Sequence, residues 1–160
     1  MNQTEVVGGV ETRVVEERET AGGELVEISR NFFALCQNNS SIFYFGEEVD
    51  IYKDGKIISH SGAWRADSGD AKAGLMMPGI ILLGAKYYQE VAPKVAMDRA
   101  EIISINETLQ TLAGKFENCL LTEETTPLEP KNKEYKIYAP GIGLIQDGEL
   151  LLTKYGPVSR

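Results

Sequence analysis

The chain has 160 residues, of which 42% are apolar and 25% are charged, a composition typical of globular proteins and unlike that of disordered chains. Its 24 acidic and 16 basic residues give a net charge of −8. This excess of acid argues against binding to nucleic acid or to anionic lipid headgroups, because both need a basic surface. Because the chain has only one histidine, it cannot form a site that needs two histidine side chains.

Apolar and polar residues alternate along several segments of the chain. Val10, Thr12 and Val14 alternate with charged residues, and Ile103 and Ile105 alternate with small polar ones. A period of two with one polar face indicates antiparallel strands that are half exposed to water. No stretch has the length and periodicity expected of a long helix.

Short turn signals separate these segments at the spacing of β-hairpins. They are Gly8-Gly9, Gly22-Gly23, Asp54-Gly55, Ala113-Gly114 and Asp147-Gly148. Gly-Gly and Asp-Gly favour the tight two-residue turns that join antiparallel strands. Residues 125–133 contain two prolines, and we expect them to form a bent linker between strands. The predicted fold is all-β, an antiparallel meander of about nine strands that forms a curved sheet, a half-open barrel or a sandwich. Residues 1–160 are long enough for a single β domain with its own core.

An apolar stretch at residues 74–84 is the most unusual part of the sequence. It contains two methionines and four consecutive large aliphatic residues. It could contact a partner, line a pocket for lipid, or fold over an open end of the sheet and continue into a buried strand. Its longest apolar run has twelve residues, including Pro78 and Gly79, whereas roughly 20 are needed to cross a bilayer. We therefore expect no transmembrane segment.

The polar residues do not form a recognisable catalytic pattern. His60 lies between Ser59 and Ser61, but neighbouring side chains on a strand point to opposite faces. The same geometry separates the carboxylates of each adjacent pair of glutamates. The acidic loop at residues 67–70 lacks the spacing of a calcium-binding loop. We predict no catalytic residue, no metal site, no cofactor and no enzymatic activity, and we expect His60 to be solvated or hydrogen-bonded.

Two features favour an exported, extracellular protein, although residues 1–10 do not have the pattern of a signal peptide. Four asparagines stand in glycosylation sequons, which polar turns also produce by chance, namely Asn2, Asn38, Asn39 and Asn106. Cys36 and Cys119 could form one disulfide that closes a long loop, or they could be two buried free thiols.

Several motifs together resemble a family of secreted bacterial β-rich proteins of unassigned function. The motifs are Phe45-Gly46-Glu47-Glu48-Val49-Asp50, Gly62-Ala63-Trp64, Tyr88-Gln89-Glu90-Val91-Ala92-Pro93, Asp98-Arg99-Ala100-Glu101, Phe116-Glu117-Asn118-Cys119-Leu120, Glu123-Glu124-Thr125-Thr126-Pro127 and Tyr138-Ala139-Pro140-Gly141-Ile142-Gly143-Leu144. The resemblance covers most of the chain between about Val6 and Tyr155. It implies an exported, single-domain, mostly antiparallel β protein, and it carries over no catalytic residue.

Members of this family have one or two further strands before the equivalent of residues 4–7. If Gly8-Gly9 is a two-residue turn, Met1 is opposite about Glu16, and we expect the sheet to lack a strand. A neighbouring copy could supply it by strand addition, and repetition would build a filament. We therefore predict an extracellular structural or assembly subunit that contacts copies of itself. The alternative is a carrier or binding module for a lipid or another apolar ligand. The predicted contact residues are Thr4, Val6, Val7, Leu75, Met76, Met77, Ile80 and Leu82.

Overall fold

The computed structural model describes residues 3–157 and shows two antiparallel sheets, neither of which closes on itself. The first sheet has eight strands, β1 (Thr4–Val7), β2 (Val10–Ala21), β3 (Glu24–Leu35), β4 (Ile42–Lys53), β5 (Lys56–Ser59), β6 (Trp64–Arg65), β7 (Lys72–Met77) and β9 (Glu90–Val91). The second has six, β8 (Lys86–Tyr88), β10 (Arg99–Thr111), β11 (Gly114–Thr126), β12 (Glu129–Ala139), β13 (Gly143–Asp147) and β14 (Leu150–Leu151). The prediction of an all-β antiparallel fold is confirmed.

The contacts divide the chain into two compact units. Among the described residues, the first consists of residues 3–80 and 88–97, and the second of residues 81–87 and 98–157. The first unit therefore holds nearly all of the eight-stranded sheet, and the second holds nearly all of the six-stranded one. That residues 1–160 behave as a single domain stays a prediction.

The Gly-Gly turns lie where the sequence places them, whereas the turns predicted at Ala113-Gly114 and Asp147-Gly148 lie one residue away, at 112–113 and 148–149. Val7 pairs with Val10 across Gly8-Gly9, and Ala21 pairs with Glu24 across Gly22-Gly23. All four glycines have positive φ, which a residue without Cβ adopts at no steric cost. The predicted pairing of Met1 with Glu16 lies outside the described residues.

Strand β4 organises the first sheet because it pairs along both of its sides. On one side it pairs with β3 over most of its length. On the other side it pairs in succession with β5, β6 and β7. At Gly46 the backbone has a φ of 130°, and a Cβ there would overlap the carbonyl oxygen of Trp64 and lie 2.8 Å from the Cα of Arg65. Glycine is therefore required where β6 approaches β4.

Each unit has its own cluster of buried apolar side chains. In the first unit, Tyr44, Trp64 and Ala92 form the cluster, and Phe33 and Met76 pack against it. The ring of Tyr44 stacks on Phe33 and meets Trp64 edge to face. In the second unit, the buried cluster consists of Cys119, Ala139 and Ile145.

Three details of the sequence prediction differ from the structure. The described residues form fourteen strands, of which four have only two or three residues, too short for a periodicity to reveal. Residues 125–133 are not a bent linker, because Thr126 pairs with Glu129 across a tight turn and β12 continues from there. The apolar stretch does not continue from a loop into a buried strand, because the strand β7 comes first, pairing with β4 and β9, and exposed residues follow it.

Replacing Gly46 by alanine should lower the free energy of unfolding by about 3 kcal/mol, since the new Cβ adds steric overlap to an unfavourable φ. Gly23→Ala is the matched control, because Gly23 also has a positive φ but no atom within 4 Å of an added Cβ. It should cost about 1–2 kcal/mol. Urea unfolding of both variants measures the difference, and equal losses would contradict a specific requirement at the β4–β6 contact.

Candidate functional site

Several strands have backbone edges that no other strand covers within the described part of the chain. On the outer side of β2, pairing with β1 ends at Arg13, and the amide of Val14 donates to the carbonyl of Gln3. Beyond that point, residues 15–21 have no neighbour on this side among the described strands. The outer side of β12 is likewise uncovered from residue 129 to residue 134, because β13 pairs only with its second half.

These two edges carry side chains that discourage pairing with another strand. The uncovered part of β2 contains Glu16, Glu17, Arg18 and Glu19 in succession. The uncovered part of β12 contains Lys131 and Lys133 as well as a proline. Charged residues and proline on an edge strand oppose strand addition, because an incoming strand would have to desolvate the charges and would lack one backbone donor.

The outer edge of β10 has a different character. Its first residues are covered, since the amide of Gly84 donates to the carbonyl of Ile102 and the amide of Ile102 donates to the carbonyl of Ala85. The described backbone bonds on this side reach Ile102 and none is described for residues 103–111, and the sheet order gives β10 no neighbour on this side other than β8. This segment contains one charged residue, Glu107, and its exposed side chains include Ile103 and Ile105.

Further exposed aliphatic side chains lie at the two ends of this segment. At one end, the chain reverses direction between Leu82 and Ala85, where the amide of Ala85 donates to the carbonyl of Leu82. Leu82 and Leu83 are both largely exposed at this turn. At the other end, Leu112 at the tip of the β10–β11 hairpin is 87% exposed. The β10 edge is defined here as residues 103–111 with Leu82, Leu83 and Leu112, and it carries five exposed aliphatic side chains among mainly uncharged polar ones.

The predicted contact residues differ in exposure and lie in different parts of the structure. In β1, Thr4 and Val6 are exposed, whereas the side chain of Val7 is completely buried and cannot touch a partner. In β7, Leu75, Met76 and Met77 are half-buried, and Met76 packs against the cluster of Tyr44, Trp64 and Ala92. Ile80 and Leu82 are exposed, and only Leu82 belongs to the β10 edge.

A buried ionic network lies on β11, β12 and β13 of the second unit. The Lys136 Nζ atom lies 3.2 Å from Glu124 Oε2 and 3.1 Å from Asp147 Oδ2. The hydroxyls of Tyr138 and Thr122 both donate to Glu124 Oε1, at 3.2 Å. The Glu124 side chain is only 5% exposed and that of Lys136 is 20% exposed. The strand register creates this network, because Thr122 is opposite Lys136 and Lys136 is opposite Asp147.

The environment of this network raises the pKa values of two of its groups. Burial raises the pKa of the Tyr138 hydroxyl well above its usual value, and the negative charge of Glu124 raises it further. Burial lowers the pKa of Lys136, but the charges of Glu124 and Asp147 outweigh this effect and leave that pKa well above its usual value. The network therefore holds a charged lysine and a neutral tyrosine beside the buried carboxylate of Glu124.

A second, more exposed ionic cluster contains the histidine. The Nδ1 atom of His60 lies 2.8 Å from the carbonyl oxygen of Val49 and 3.0 Å from Asp50 Oδ1. The other oxygen of Asp50 accepts a hydrogen bond from Arg30. His60 is thus hydrogen-bonded and largely exposed, and no serine hydroxyl or cysteine thiol within the described residues is bonded to it.

The cysteines and sequons lie in different surroundings. Cys36 and Cys119 are both free thiols, the first half-buried and the second completely buried, so the structure contains no bond between them. Asn38 and Asn39 lie in an exposed turn, and Asn106 is exposed on β10. Asn2 lies outside the described residues.

One cavity of the second unit is lined by polar and acidic residues, namely Asp98, Glu124, Thr125, Thr126, Glu129, Asn132 and Glu134. Within residues 3–157, no three histidine, cysteine, aspartate or glutamate side chains converge closely enough to hold a metal ion. The same part of the chain contains no helix with the length and apolar character needed to cross a membrane.

Comparisons of the sequence with protein-family models and curated proteins, and of the fold with solved structures, found no match.

Replacing Lys136 by methionine should lower the free energy of unfolding by roughly 3–5 kcal/mol, because it removes a cation from beside the buried carboxylate of Glu124. The double variant Lys136→Met/Glu124→Gln should recover much of this loss. Lys115→Met is the control, because the ion pair of Lys115 with Glu117 is more than half exposed and should contribute far less. Equal effects of the two single variants in urea unfolding would contradict a structural role for the network.

Stability should fall as the pH rises above about 10, the usual pKa of tyrosine. Because the pKa of Tyr138 is raised on folding, the folded chain holds this proton more tightly than the unfolded chain, and the stabilisation present below pH 10 is lost above it. Tyr138→Phe should reduce the slope of stability against pH there by up to about 1.4 kcal/mol per unit. Urea titrations between pH 8 and pH 11 measure the slope, and an unchanged slope would refute the raised pKa.

Proposed function

We propose that this chain is a structural subunit that assembles with copies of itself through strand addition at the β10 edge. The observation that carries this proposal is the uncovered side of residues 103–111, where exposed isoleucines replace the charges that protect the edges of β2 and β12. Backbone amides and carbonyls on such an edge bind an extended strand, and alternate side chains supply apolar contact. We further propose an extracellular location, which the exposed sequons at Asn38 and Asn39, away from the β10 edge, support.

A structural role fits the distribution of polar groups better than catalysis does. Lys136, Glu124 and Tyr138 bond to one another in a buried network, and His60 bonds to Val49 and Asp50. An enzyme needs a reactive group with access to substrate; the Lys136, Glu124 and Tyr138 groups bond to one another, and no serine hydroxyl or cysteine thiol among the described residues bonds to His60. The cavity described above is lined by polar and acidic residues, which do not suit a lipid, so this cavity does not support the lipid-carrier alternative.

Assembly should require Ile105, which is 47% exposed on the β10 edge. We expect Ile105→Lys to raise the dissociation constant of the assembly at least about tenfold, because pairing would bring a lysine charge into an apolar contact. Sedimentation velocity over a wide range of protein concentration measures this change. A chain that remains monomeric at the highest concentration would refute the proposed function.

Val15→Lys is the matched control, because Val15 is also a β-branched residue on an uncovered edge and is 37% exposed. It should leave assembly unchanged if the β10 edge is the contact. The opposite pattern, in which Val15→Lys prevents assembly and Ile105→Lys does not, would place the contact on the β1–β2 side instead. Thermal unfolding of both variants verifies that each is folded.

A further inference from the structure

We propose that Arg65 and Asp67 form a side-chain clasp that holds β1 against the residues after β6, and that acid loosens this clasp without unfolding the sheet. The clasp lies in the first unit, and it does not depend on the assembly proposed for the β10 edge. It gives these two charged residues a conformational role, because they control how often β1 separates from its neighbours.

The first sheet curls until its first strand meets the residues that follow β6. In the order of the sheet, β2, β3 and β4 lie between β1 and β6, because Glu47 of β4 pairs with Asn31 of β3 on one side and with Trp64 of β6 on the other. Four strand spacings amount to roughly 19 Å in a flat sheet, a distance that an arginine side chain does not span. Contacts between β6 and β1 therefore require a strongly curved sheet.

Side chains make the bonds between these two parts of the sheet. From β6, the Arg65 Nη2 atom lies 3.3 Å from the carbonyl oxygen of Val6 and 3.5 Å from Glu5 Oε1. In the loop after β6, Asp67 Oδ2 accepts a hydrogen bond of 3.2 Å from the amide of Gly8, and Asp67 Oδ1 accepts one of 3.3 Å from Arg65 Nε. Among the described strands, β1 pairs with β2 alone. The clasp therefore takes the place of a backbone ladder between β1 and β6.

The clasp lies next to buried apolar side chains. Val7, which stands between the two residues of β1 and its turn whose backbone the clasp bonds, is completely buried. The guanidinium carbon of Arg65 lies 5.2 Å from the centre of the Phe32 ring, which is also buried. Separation of β1 exposes Val7 to water at a cost in free energy, so the exposure of residue 7 reports the opening.

The charge of Asp67 makes the clasp sensitive to acid. Hydrogen bonds from Arg65 and from the Gly8 amide lower the pKa of the Asp67 carboxyl below its usual value. Because the folded chain holds this proton less tightly than the unfolded chain, the stabilisation by Asp67 is present above about pH 4 and is lost as the pH falls further.

The other groups of the clasp do not oppose this response. In the described contacts, Asp67 faces Arg65 of β6 and the uncharged amide of Gly8, and Glu5 of β1 lies on the far side of Arg65. The hydrogen bond with Asp67 raises the pKa of Arg65, which stays positively charged throughout the acid range. Protonation of Asp67 therefore removes the negative charge that both the arginine and the Gly8 amide bind.

Nuclear magnetic resonance of the full chain tests the acid response. The amide proton of Gly8 should change its chemical shift as the pH is lowered, with a midpoint below about 4, because protonation neutralises the carboxylate that accepts its hydrogen bond. Asp67→Asn should abolish this change, whereas Asp70→Asn, at an exposed position of the same loop, should leave it in place. A change that persists in Asp67→Asn would overturn the proposal.

Thiol labelling measures the opening itself. Val7→Cys places a thiol at the buried position, where iodoacetamide reaches it only when β1 separates. At pH 7.5, the further change Asp67→Ala should raise the labelling rate about three- to tenfold, because two charge-assisted hydrogen bonds at the surface are lost. Asp70→Ala is the matched control and should leave the rate within about twofold. Mass spectrometry distinguishes residue 7 from Cys36 and Cys119.

Two results of the labelling experiment would overturn the clasp. One is an unchanged rate in Asp67→Ala. The other is a faster rate that an equal loss of stability in urea explains, because global unfolding and not the separation of one strand would then expose residue 7. If Val7→Cys does not fold, hydrogen exchange of the β1 amides in chains that keep Val7 makes the same comparison, and the same two results decide it.

Discussion

The peptide groups along the outer side of β10 need hydrogen-bond partners, and this need is the main constraint on the second sheet. A backbone amide or carbonyl that leaves water must find another partner, and at a sheet edge that partner is water or another strand. Over residues 103–111 no described backbone bond reaches such a strand, and only one of the nine side chains beside these groups, that of Glu107, is charged. Water can bond the peptide groups, but it leaves the isoleucines exposed, whereas a second strand satisfies both.

The three uncovered edges of the molecule differ in how many charged side chains they carry. The uncovered stretch of β2 has four consecutive charged residues, and that of β12 has two lysines and a proline. Both therefore carry the features that keep natural sheets from associating edge to edge. The β10 edge lacks these charges, although irregular register with β11 interrupts it in three places. Bulges can also protect an edge, so the apolar side chains are what distinguish it from the other two.

The sequence predicts the local parts of this fold and misses the non-local ones. Gly8-Gly9 and Gly22-Gly23 are readable as turns because positive φ at two successive positions strongly favours glycine. The pairing of β6 and β7 with β4 cannot be predicted from the sequence, because both strands return to β4 after irregular loops. The buried network of Glu124, Lys136 and Asp147 is also hidden, since only the register of three strands brings these residues together. Alternation identified Ile103 and Ile105 as strand residues, but it could not show that their edge stays uncovered.

A glycan attached to Asn106 would affect access to the β10 edge. Asn106 lies in the middle of the uncovered segment, next to Ile105 and one residue before Glu107. An oligosaccharide attached there would rise from the sheet border where an approaching chain must settle, and its bulk and bound solvent would keep that chain away. Sugar attachment at this asparagine would therefore compete with the self-association proposed for this border. A cell that glycosylates this asparagine would produce solitary molecules, while one that leaves it bare would permit pairs to form.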